Sequence, residues 1–329
     1  MKKKLHWLSP GKNSDCLDTL LNSNLASTRL RTAVAYQSLT NNNYQITVGD
    51  SILNDSLAIV IGKVGANVDR FEYWKEQIKK HKINKSIIYL DYTDNHLGFD
   101  SPMRKYYEYF LEVSDYIIVP SEKMQDNIST YWGGPVKIIP DIIEFDFLEP
   151  KNYINSVPQL LWFGHASNIE FLTKYIQKEN IINNVKLHLI VMSNINGIQI
   201  LNNSISNCNL SKNMTSLIWS KNLMSEVARK TDICIIPSSQ EDPRKSGVSS
   251  NRLLSSLALG LPTLSTSMPS YQEFNKYFLD IDLFSIEYMI NNIGKQQELV
   301  ANSQKEVLER FTNNSIGKLW FNLIESQMK

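Results

Sequence analysis

The chain has 329 residues, of which 42% are hydrophobic and 20% are charged. This length exceeds what one hydrophobic core usually supports, and the composition is typical of folded rather than disordered proteins. The 34 Lys and Arg residues nearly cancel the 33 Asp and Glu residues, which excludes a general electrostatic attraction to nucleic acid. We therefore expect two folded domains, no nucleic-acid partner, and anion binding only at a local site.

Cysteine usage and hydropathy indicate a cytoplasmic protein. Cys16, Cys208 and Cys234 are far apart, odd in number, and not part of a CxxC or Cys/His pair, so we expect reduced thiols and no zinc site. The basic start MKKKLHWLSP is soon interrupted by polar residues and a proline, unlike a signal peptide. No run of about 18 apolar residues predicts a membrane-spanning helix. The cationic, aromatic segments YWKEQIKKHK and MRKYYEYF suggest peripheral contact with the inner membrane face, or else core packing of their aromatic side chains.

Short apolar runs alternate with longer amphipathic stretches along the chain, which is typical of parallel sheets with helical crossovers. The predicted strands of the first half are residues 5–8, 44–48, 57–61, 86–90, 116–119 and 136–139. Those of the second half are residues 160–163, 187–192, 215–219, 233–236 and 263–265. Between them, residues 141–157 have no clear period and are punctuated by prolines, as in an interdomain crossing. Two amphipathic helices, broken near residues 312–314, end the chain.

These elements predict an α/β protein with two Rossmann-like domains. We place the first domain at residues 1–145, completed by a C-terminal helix at residues 314–329. The second domain is expected to cover residues 146–313. Ligands of such sheets bind outside the carboxyl ends of the strands, so the loops at those ends are the first places to look for a site.

The best-specified segment is PSSQEDPRKSGVSSNRLLSSLALGLPTLST, residues 237–266, in which a strand leads through a polar loop into a helix. A helix that starts there directs backbone N–H groups and its positive dipole end at an anion. Cations and neutral donors that suit a phosphate or diphosphate are Lys245, Ser246, Ser249, Ser250, Asn251 and Arg252. The apolar part, LLSSLALGLP, is expected simply to be a buried helix ended by glycine and proline.

Two neighbouring features are more ambiguous. Glu241, next to Asp242 and Arg244, is either a catalytic carboxylate or part of a solvated charge cluster. At residues 160–176 a hydrophobic strand turns through Gly164 into a helix, and a glycine there lets the main chain approach a ligand, although any tight turn needs one. His165 in this turn either contacts a phosphate or sugar hydroxyl or is structural.

A third segment, SIIYLDYTDNHLGFD at residues 86–100, gathers acidic residues and a histidine at the end of a predicted strand. Asp94 and His96 are candidates for a general base or for acceptors of hydrogen bonds from sugar hydroxyls. The alternative is that Asp91 and Asp94 cap a turn or helix, which is the expectation for Asp91. The irregular spacing lacks a metal-ligand pattern, so no metal is predicted.

The first long helix begins with STRLR, at residues 27–31. Two interpretations of its arginines, Arg29 and Arg31, are open. They either line the acceptor side of a binding site or lie on a solvated helix face, which is the commoner outcome for arginine.

These segments resemble those of bacterial glycosyltransferases with the GT-B fold, of the family 4-like type that builds lipopolysaccharide, O-antigen and capsule chains. KIIPDIIEF, at residues 137–145, is similar to the family's exit from its N-terminal domain. WFGHASN, at residues 162–168, is similar to its strand-to-glycine turn. NRLLSSLALGLPTLST, at residues 251–266, resembles its donor-site helix and turn. The likeness covers most of the chain, in order and in spacing.

The resemblance implies two domains facing a central cleft, with the C-terminal helix crossing back to the N-terminal domain. It implies transfer of a hexosyl or related sugar from a nucleotide-sugar donor, bound mainly by the second domain, to a glycan or lipid-linked acceptor bound by the first. No cofactor and no metal are expected. With the residues above, the predicted donor-binding set is Gly164, His165, Lys245, Ser249, Ser250, Asn251 and Arg252. The predicted catalytic set is Asp94, His96 and Glu241.

The chain departs from the retaining subgroup of that family, in which two glutamates flank the donor loop. Gly247 and Ser255 occupy those places, the first within and the second just after the stretch KSGVSSNR at residues 245–252. Two alternatives therefore stay open, namely a nucleotide-sugar epimerase of the same fold and a non-catalytic partner subunit. A nicotinamide dehydrogenase is disfavoured because no GxGxxG follows a predicted strand.

Overall fold

The structure is a computed structural model that describes residues 2–63, 68–179, 186–205 and 213–328. Contacts divide the chain into two compact units. The first contains Met1–Glu144, Asp242–Ser249 and Arg310–Lys329, and the second contains Phe145–Glu241 and Ser250–Glu309. The sequence carries no signal that residues 242–249 group with the first unit. Cys208 lies outside the described residues.

The first unit is built on a parallel sheet, which within the described residues has six strands in the order β2-β1-β3-β4-β5-β6. The strands are β1 (Lys3–Leu8), β2 (Tyr44–Gly49), β3 (Ala58–Ile61), β4 (Ile87–Asp91), β5 (Tyr116–Val119) and β6 (Val136–Ile138). The central strands are apolar and buried on both faces, as parallel strands covered by helices must be. The six strands predicted for this half are confirmed.

The second unit repeats the arrangement. Its described residues form a parallel sheet of six strands in the order β12-β11-β10-β7-β8-β9. The strands are β7 (Gln159–Phe163), β8 (His188–Ser193), β9 (Met214–Ile218), β10 (Ile233–Ile236), β11 (Thr263–Ser265) and β12 (Leu279–Asp280). Five of these were predicted, and the prediction of two parallel-sheet α/β halves is confirmed.

Helices connect the strands in both units. In the first unit they are α1 (Leu17–Leu21), α2 (Ala33–Asn41), α3 (Phe71–Ile83), α4 (Arg104–Val113) and α5 (Glu122–Ser129), with one turn of π-helix at Thr28–Thr32 before α2. In the second unit they are α6 (Ile169–Lys178), α7 (Ile195–Ile205), α8 (Lys221–Lys230), α9 (Asn251–Ala258), α10 (Ile286–Asn291) and α11 (Ile293–Glu306). The chain ends with α12 (Asn313–Gln327).

Helix α12 packs in the first unit, as predicted. It begins at Thr312, whose hydroxyl accepts a hydrogen bond from the backbone N–H of Ser315 at 3.3 Å. Trp320 is fully buried and meets the ring of Trp7 on β1 edge to face, with ring centroids 5.1 Å apart. The preceding helix α11 belongs to the second unit, so the predicted break near residues 312–314 separates helices of different units.

The aromatic faces of α3 and α4 pack inward. Trp74, Tyr106, Tyr107 and Phe110 are all buried in one hydrophobic cluster of the first unit, while Tyr73 is 42% exposed. Core packing, the alternative to membrane contact for these helices, therefore accounts for most of their aromatic residues. In the part of the chain that the structure describes, every helix is too short or too polar to span a bilayer.

A buried cation joins the elements of the first unit. The guanidinium of Arg31, in the π-helical turn, donates to both oxygens of Asp91 at the end of β4, at 2.6–2.9 Å. It also donates to Asp141 at 3.0 Å and to the carbonyl oxygen of Ile139 at 2.7 Å. The same group lies 5.4 Å from the ring centroid of Trp320. Burial alone would lower the pKa of Arg31, but the two carboxylates raise it overall, so the group stays charged.

The structure excludes one of the two open interpretations of the arginines, and the capping role expected for Asp91 is wrong. Arg31 is 1% exposed and Arg29 is 7% exposed, so neither arginine lies on a solvated helix face. Arg29 pairs with Glu144 at 2.8 Å, where both side chains are nearly buried. Asp91 binds Arg31 instead of capping a turn. The physical reason is that each arginine reaches a carboxylate distant in sequence, which offsets the cost of burying the charge.

Replacing Arg31 with Met should destabilise the first unit by about 3–5 kcal/mol, because two carboxylates would be left buried without their cation. Urea unfolding followed by tryptophan fluorescence measures the loss. Arg104→Met is the matched control, since Arg104 pairs with Glu108 on the exposed surface of α4 and should cost about 0.5 kcal/mol or less. Equal losses in the two variants would contradict the central role given to Arg31.

Candidate functional site

The polar loop of residues 242–249 contains one 3₁₀ turn, Pro243–Lys245. Asp242 caps this turn by accepting a hydrogen bond from the backbone N–H of Arg244 at 2.9 Å. The guanidinium of Arg244 reaches back to the same carboxylate at 2.5 Å. This hydrogen bond holds the pKa of Asp242 below its usual range. Arg244 and Asp242 thus neutralise each other locally.

Three side chains of the first unit bind the backbone of this loop. Asn95 donates to the carbonyl oxygen of Pro243 at 3.0 Å. Ser121 donates to the carbonyl oxygen of Gly247 at 2.7 Å. Asn127 donates to Ser246, at 3.2 Å to its carbonyl oxygen and at 2.9 Å to its hydroxyl. These bonds fix the loop of residues 242–249 next to the carboxyl ends of β4 and β5, where Asn95 and Ser121 lie.

The loop after β4 brings Asp94 into a charged cluster. Lys63, which follows β3, lies 2.5 Å from a carboxylate oxygen of Asp94. Burial alone would raise the pKa of Asp94, but Lys63, with smaller contributions from His96 and Lys245, lowers it overall. The sequence thus brought together two of these residues, Asp94 and His96, whereas Lys63 was missed. Lys63 lies two residues after β3, and nothing in the sequence around it indicates that it pairs with Asp94.

His96 is held by its surroundings in a defined orientation. Its Nδ1 lies 2.8 Å from the hydroxyl of Ser101, and its ring stacks on Tyr107 with centroids 4.8 Å apart. Desolvation by burial lowers the pKa of His96, Asp94 raises it, and Lys63 lowers it, with a net effect below the usual value. The imidazole is therefore neutral near pH 7, which is the form that accepts a proton.

In the second unit, Arg252 on the first turn of α9 lies beside the end of β7. A Cβ placed on Gly164 would come within 3.3 Å of Nη1 of Arg252 and 3.0 Å of the Trp162 ring. Nη1 is buried and has no hydrogen-bond partner among the described residues. The guanidinium also acts on the buried Tyr271, whose pKa it lowers against the larger, opposite effect of burial. Gly164 and Arg252 are thus adjacent in the fold, although 88 positions separate them in the sequence.

The remaining predicted site residues are placed as follows. His165 is exposed and accepts a hydrogen bond from the backbone N–H of Ser167 at 3.3 Å, which is the helix-capping role of the structural alternative. Ser250 precedes α9 without a side-chain capping bond, and Asn251 is its first residue. Glu241 is exposed. By their contacts Lys245 and Ser249 belong to the first unit, whereas Glu241, Ser250, Asn251 and Arg252 belong to the second.

No protein-family model matches the chain, and no curated protein matches it either. Several solved structures do match the chain. Sucrose-phosphate synthase from Thermosynechococcus elongatus superposes with a TM-score of 0.70 at 11% identity, covering 99% of each chain. HepE from Anabaena, crystallised with UDP and glucose, gives 0.62 at 11% identity, covering 99% of this chain and 100% of HepE. The lipopolysaccharide outer core galactosyltransferase WaaB gives 0.62 at 11% identity, covering 98% of this chain and 99% of WaaB.

The chain has the GT-B fold. Identities of 11% establish the fold alone, so membership of family 4 stays a prediction. Some proteins of similar fold are much longer. The chain spans 55% of the length of TarM, with a TM-score of 0.60 at 13% identity over 82% of this chain.

Steric crowding bears on the first of the two positions at which the resembling glycosyltransferases carry a glutamate, here Gly247. Gly247 has a φ of +78°, which side-chain-bearing residues rarely adopt, and a Cβ there would lie 2.8 Å from the backbone of Met124. Ser255, at the other place, is buried on α9. The first of the two positions therefore has no room for a glutamate in this structure.

Metal independence stays a prediction. Among the residues that the structure describes, no three His, Cys, Asp or Glu side chains are grouped so that they could hold an ion.

Replacing Asp94 with Asn should lower the pKa of His96 further, because the carboxylate stabilises the imidazolium form and its removal leaves burial and Lys63 to act alone. NMR titration of the His96 ring protons measures the pH midpoint of the imidazole in the wild type and in Asp94→Asn. In the wild type the midpoint should lie below 6.5, the ordinary value for histidine. Asp55→Asn, which removes the exposed partner of Lys4, is the control and should leave it unchanged. A higher midpoint in Asp94→Asn would contradict this account of the cluster.

Proposed function

We propose that the protein is a glycosyltransferase that moves a sugar from a nucleotide-sugar donor to a glycan or lipid-linked acceptor in bacterial surface polysaccharide synthesis, without a metal. The GT-B fold supports the reaction class. HepE, with its bound UDP and glucose, supports a nucleotide-sugar donor. WaaB, a lipopolysaccharide galactosyltransferase, supports a role in surface polysaccharide. The site residues of this chain supply the more specific argument.

The observation that carries the proposal is the buried, unpartnered Nη1 of Arg252. An unmade hydrogen bond on a buried charged donor costs about 1–3 kcal/mol or more, and binding an anion there recovers that energy. The start of α9 adds backbone N–H groups and the positive end of the helix dipole. A diphosphate fits this chemistry, because a planar guanidinium forms parallel hydrogen bonds to phosphate oxygens.

Arg252 would act mainly on the leaving group. As the bond between the sugar and the diphosphate breaks, negative charge grows on the phosphate oxygens, and a fixed cation in a poorly solvated place stabilises that charge. Gly164 contributes by leaving space, because a larger residue would press on Trp162 and Arg252. Ser250 and Asn251, which lie beside Arg252 at the start of α9, would add donors to the phosphates or to the sugar.

In the first unit, His96 would take the proton from the acceptor hydroxyl. The hydroxyl of Ser101 occupies Nδ1, which directs the reacting role to Nε2. The pKa of the ring is below its usual value, so the base is neutral and available near pH 7. The ionised Asp94 would then stabilise the imidazolium that forms.

A panel of UDP-, GDP- and CMP-sugars, mixed with lipid-linked and free glycan acceptors, tests the reaction. We expect one donor class to raise the melting temperature, since a ligand at 100 times its dissociation constant adds about 2.7 kcal/mol to the free energy of unfolding. The same donor should yield a glycosylated product by mass spectrometry, in EDTA as well as without it. An altered donor sugar formed without acceptor would indicate an epimerase instead. Binding of a donor without any turnover would indicate a silent partner subunit.

Arg252→Ala should weaken binding of that donor roughly 10- to 100-fold, the range expected for loss of hydrogen bonds to a charged group. Isothermal titration calorimetry with the free nucleoside diphosphate measures the change and separates it from any effect on the sugar. Arg229→Ala, at the exposed end of α8 in the same unit, is the control and should bind like the wild type. Unchanged affinity in Arg252→Ala would remove Arg252 from the donor site and leave the proposal without its main support.

A further inference from the structure

Residues 242–249 have little internal structure with which to hold a shape. The segment contains one 3₁₀ turn of three residues, with backbone bonds from Lys245 N–H to Asp242 at 2.8 Å and from Ser246 N–H to Pro243 at 3.3 Å, followed by a long bond from Val248 N–H to Lys245 at 3.4 Å. Ordering a loop costs roughly 1–2 kcal/mol per residue in backbone entropy. The place of Lys245 must therefore depend on bonds to the rest of the first unit.

We propose that Asn95 and Asn127 are positioning residues that fix the loop of residues 242–249 and so place Lys245 beside Asp94. Asn95 holds one end of the 3₁₀ turn through Pro243, and Asn127 holds the residue after Lys245 through two bonds to Ser246. Lys245 thus lies between two anchored residues. The consequence for catalysis rests on the proposed function, whereas the anchoring itself does not.

The position of Asn95 makes it suited to this role. It follows Asp94 and precedes His96 in the chain, so the loop that carries the candidate base is tied directly to the loop that carries Lys245. The residue is 4% exposed, and its amide adds no charge next to the Lys63–Asp94 pair. Aspartate would lack the N–H donor and would place a second carboxylate there. An amide is therefore the group that connects the two loops without changing the electrostatics of Asp94.

Asn127 lies on α5, a different element, so the two anchors act from independent directions. A single Nδ2 group with two hydrogen atoms satisfies both the carbonyl and the hydroxyl of Ser246. The close approach of Gly247 to the backbone of Met124, on the same helix, leaves the loop no space to shift toward α5. Ser121 adds a further bond to Gly247, but its hydroxyl also caps α5, so its replacement would affect the helix as well.

The test compares Asn127→Ala and Asn95→Asp with the wild type in the full chain. Asn42→Ala is the matched control, because Asn42 also donates one side-chain bond to a backbone carbonyl of the first unit, at 2.8 Å, on the exposed end of α2. Amide hydrogen exchange, read by mass spectrometry of peptides that cover residues 242–249, needs no ligand. Each anchor variant should exchange these amides about 10-fold faster, the ratio expected for the loss of hydrogen bonds that contribute about 1.4 kcal/mol. The control should not change them.

The kinetic arm uses the donor that the nucleotide-sugar panel identifies. In Asn127→Ala, misplacing Lys245 removes binding that the ground state and transition state share, so KM for the donor should rise about 10-fold while kcat stays nearly constant. Asn95→Asp is compared by hydrogen exchange alone, because its new carboxylate also changes the electrostatics of Asp94. A purely stabilising role for the asparagines would instead lower the melting temperature and leave KM unchanged. Faster exchange of the loop with an unchanged KM would overturn the positioning role, as would exchange that accelerates equally across the whole first unit. If no donor is found, the proposed function fails, and the exchange arm still decides whether the anchors hold the loop.

Discussion

The first unit depends on one buried cation, the guanidinium of Arg31. It binds the end of β4 through Asp91, the chain after β6 through Ile139 and Asp141, and it lies against Trp320 of the C-terminal helix. A buried charge is stable only if carboxylates and carbonyl oxygens replace the water it loses, and here two carboxylates and one carbonyl do so. The consequence for function is positional, because the loop with Asp94 and His96 starts from the strand end that Arg31 fixes.

The cationic side chains of the candidate site differ in whether they are paired with a carboxylate. Arg244 is bound to Asp242, and Lys63 is bound to Asp94. Arg252 differs, since one of its nitrogens is buried beside Gly164 without a partner in the described part of the chain. The buried Nη1 is shielded from water, so an anion that reaches it gains more than it would at a solvated nitrogen.

The sequence predicts most of the fold because most strands are short, largely apolar runs, and central ones such as AIVI of β3 and ICII of β10 are buried along their whole length. It misses β12, whose two residues are too few to show a period. It also misplaces Arg31 and Asp91, since the two residues are 60 positions apart and neither carries a local sign of the other. The same reason explains why Lys63, Asn95 and Asn127 were not predicted, whereas Asp94 and His96, which share one loop, were. Gly164 and Arg252 were both proposed, but only the fold brings them together.

The loop of residues 242–249 shows how a departure from a family pattern can follow from local packing. Gly247 needs a positive φ and has no space for a Cβ next to Met124, so a glutamate at this position would displace the loop. Displacing it would break the bonds of Asn127 to Ser246 and of Ser121 to Gly247, and Lys245 would lose its fixed place. The glycine is therefore compatible with the observed anchoring, and a carboxylate at that position is not.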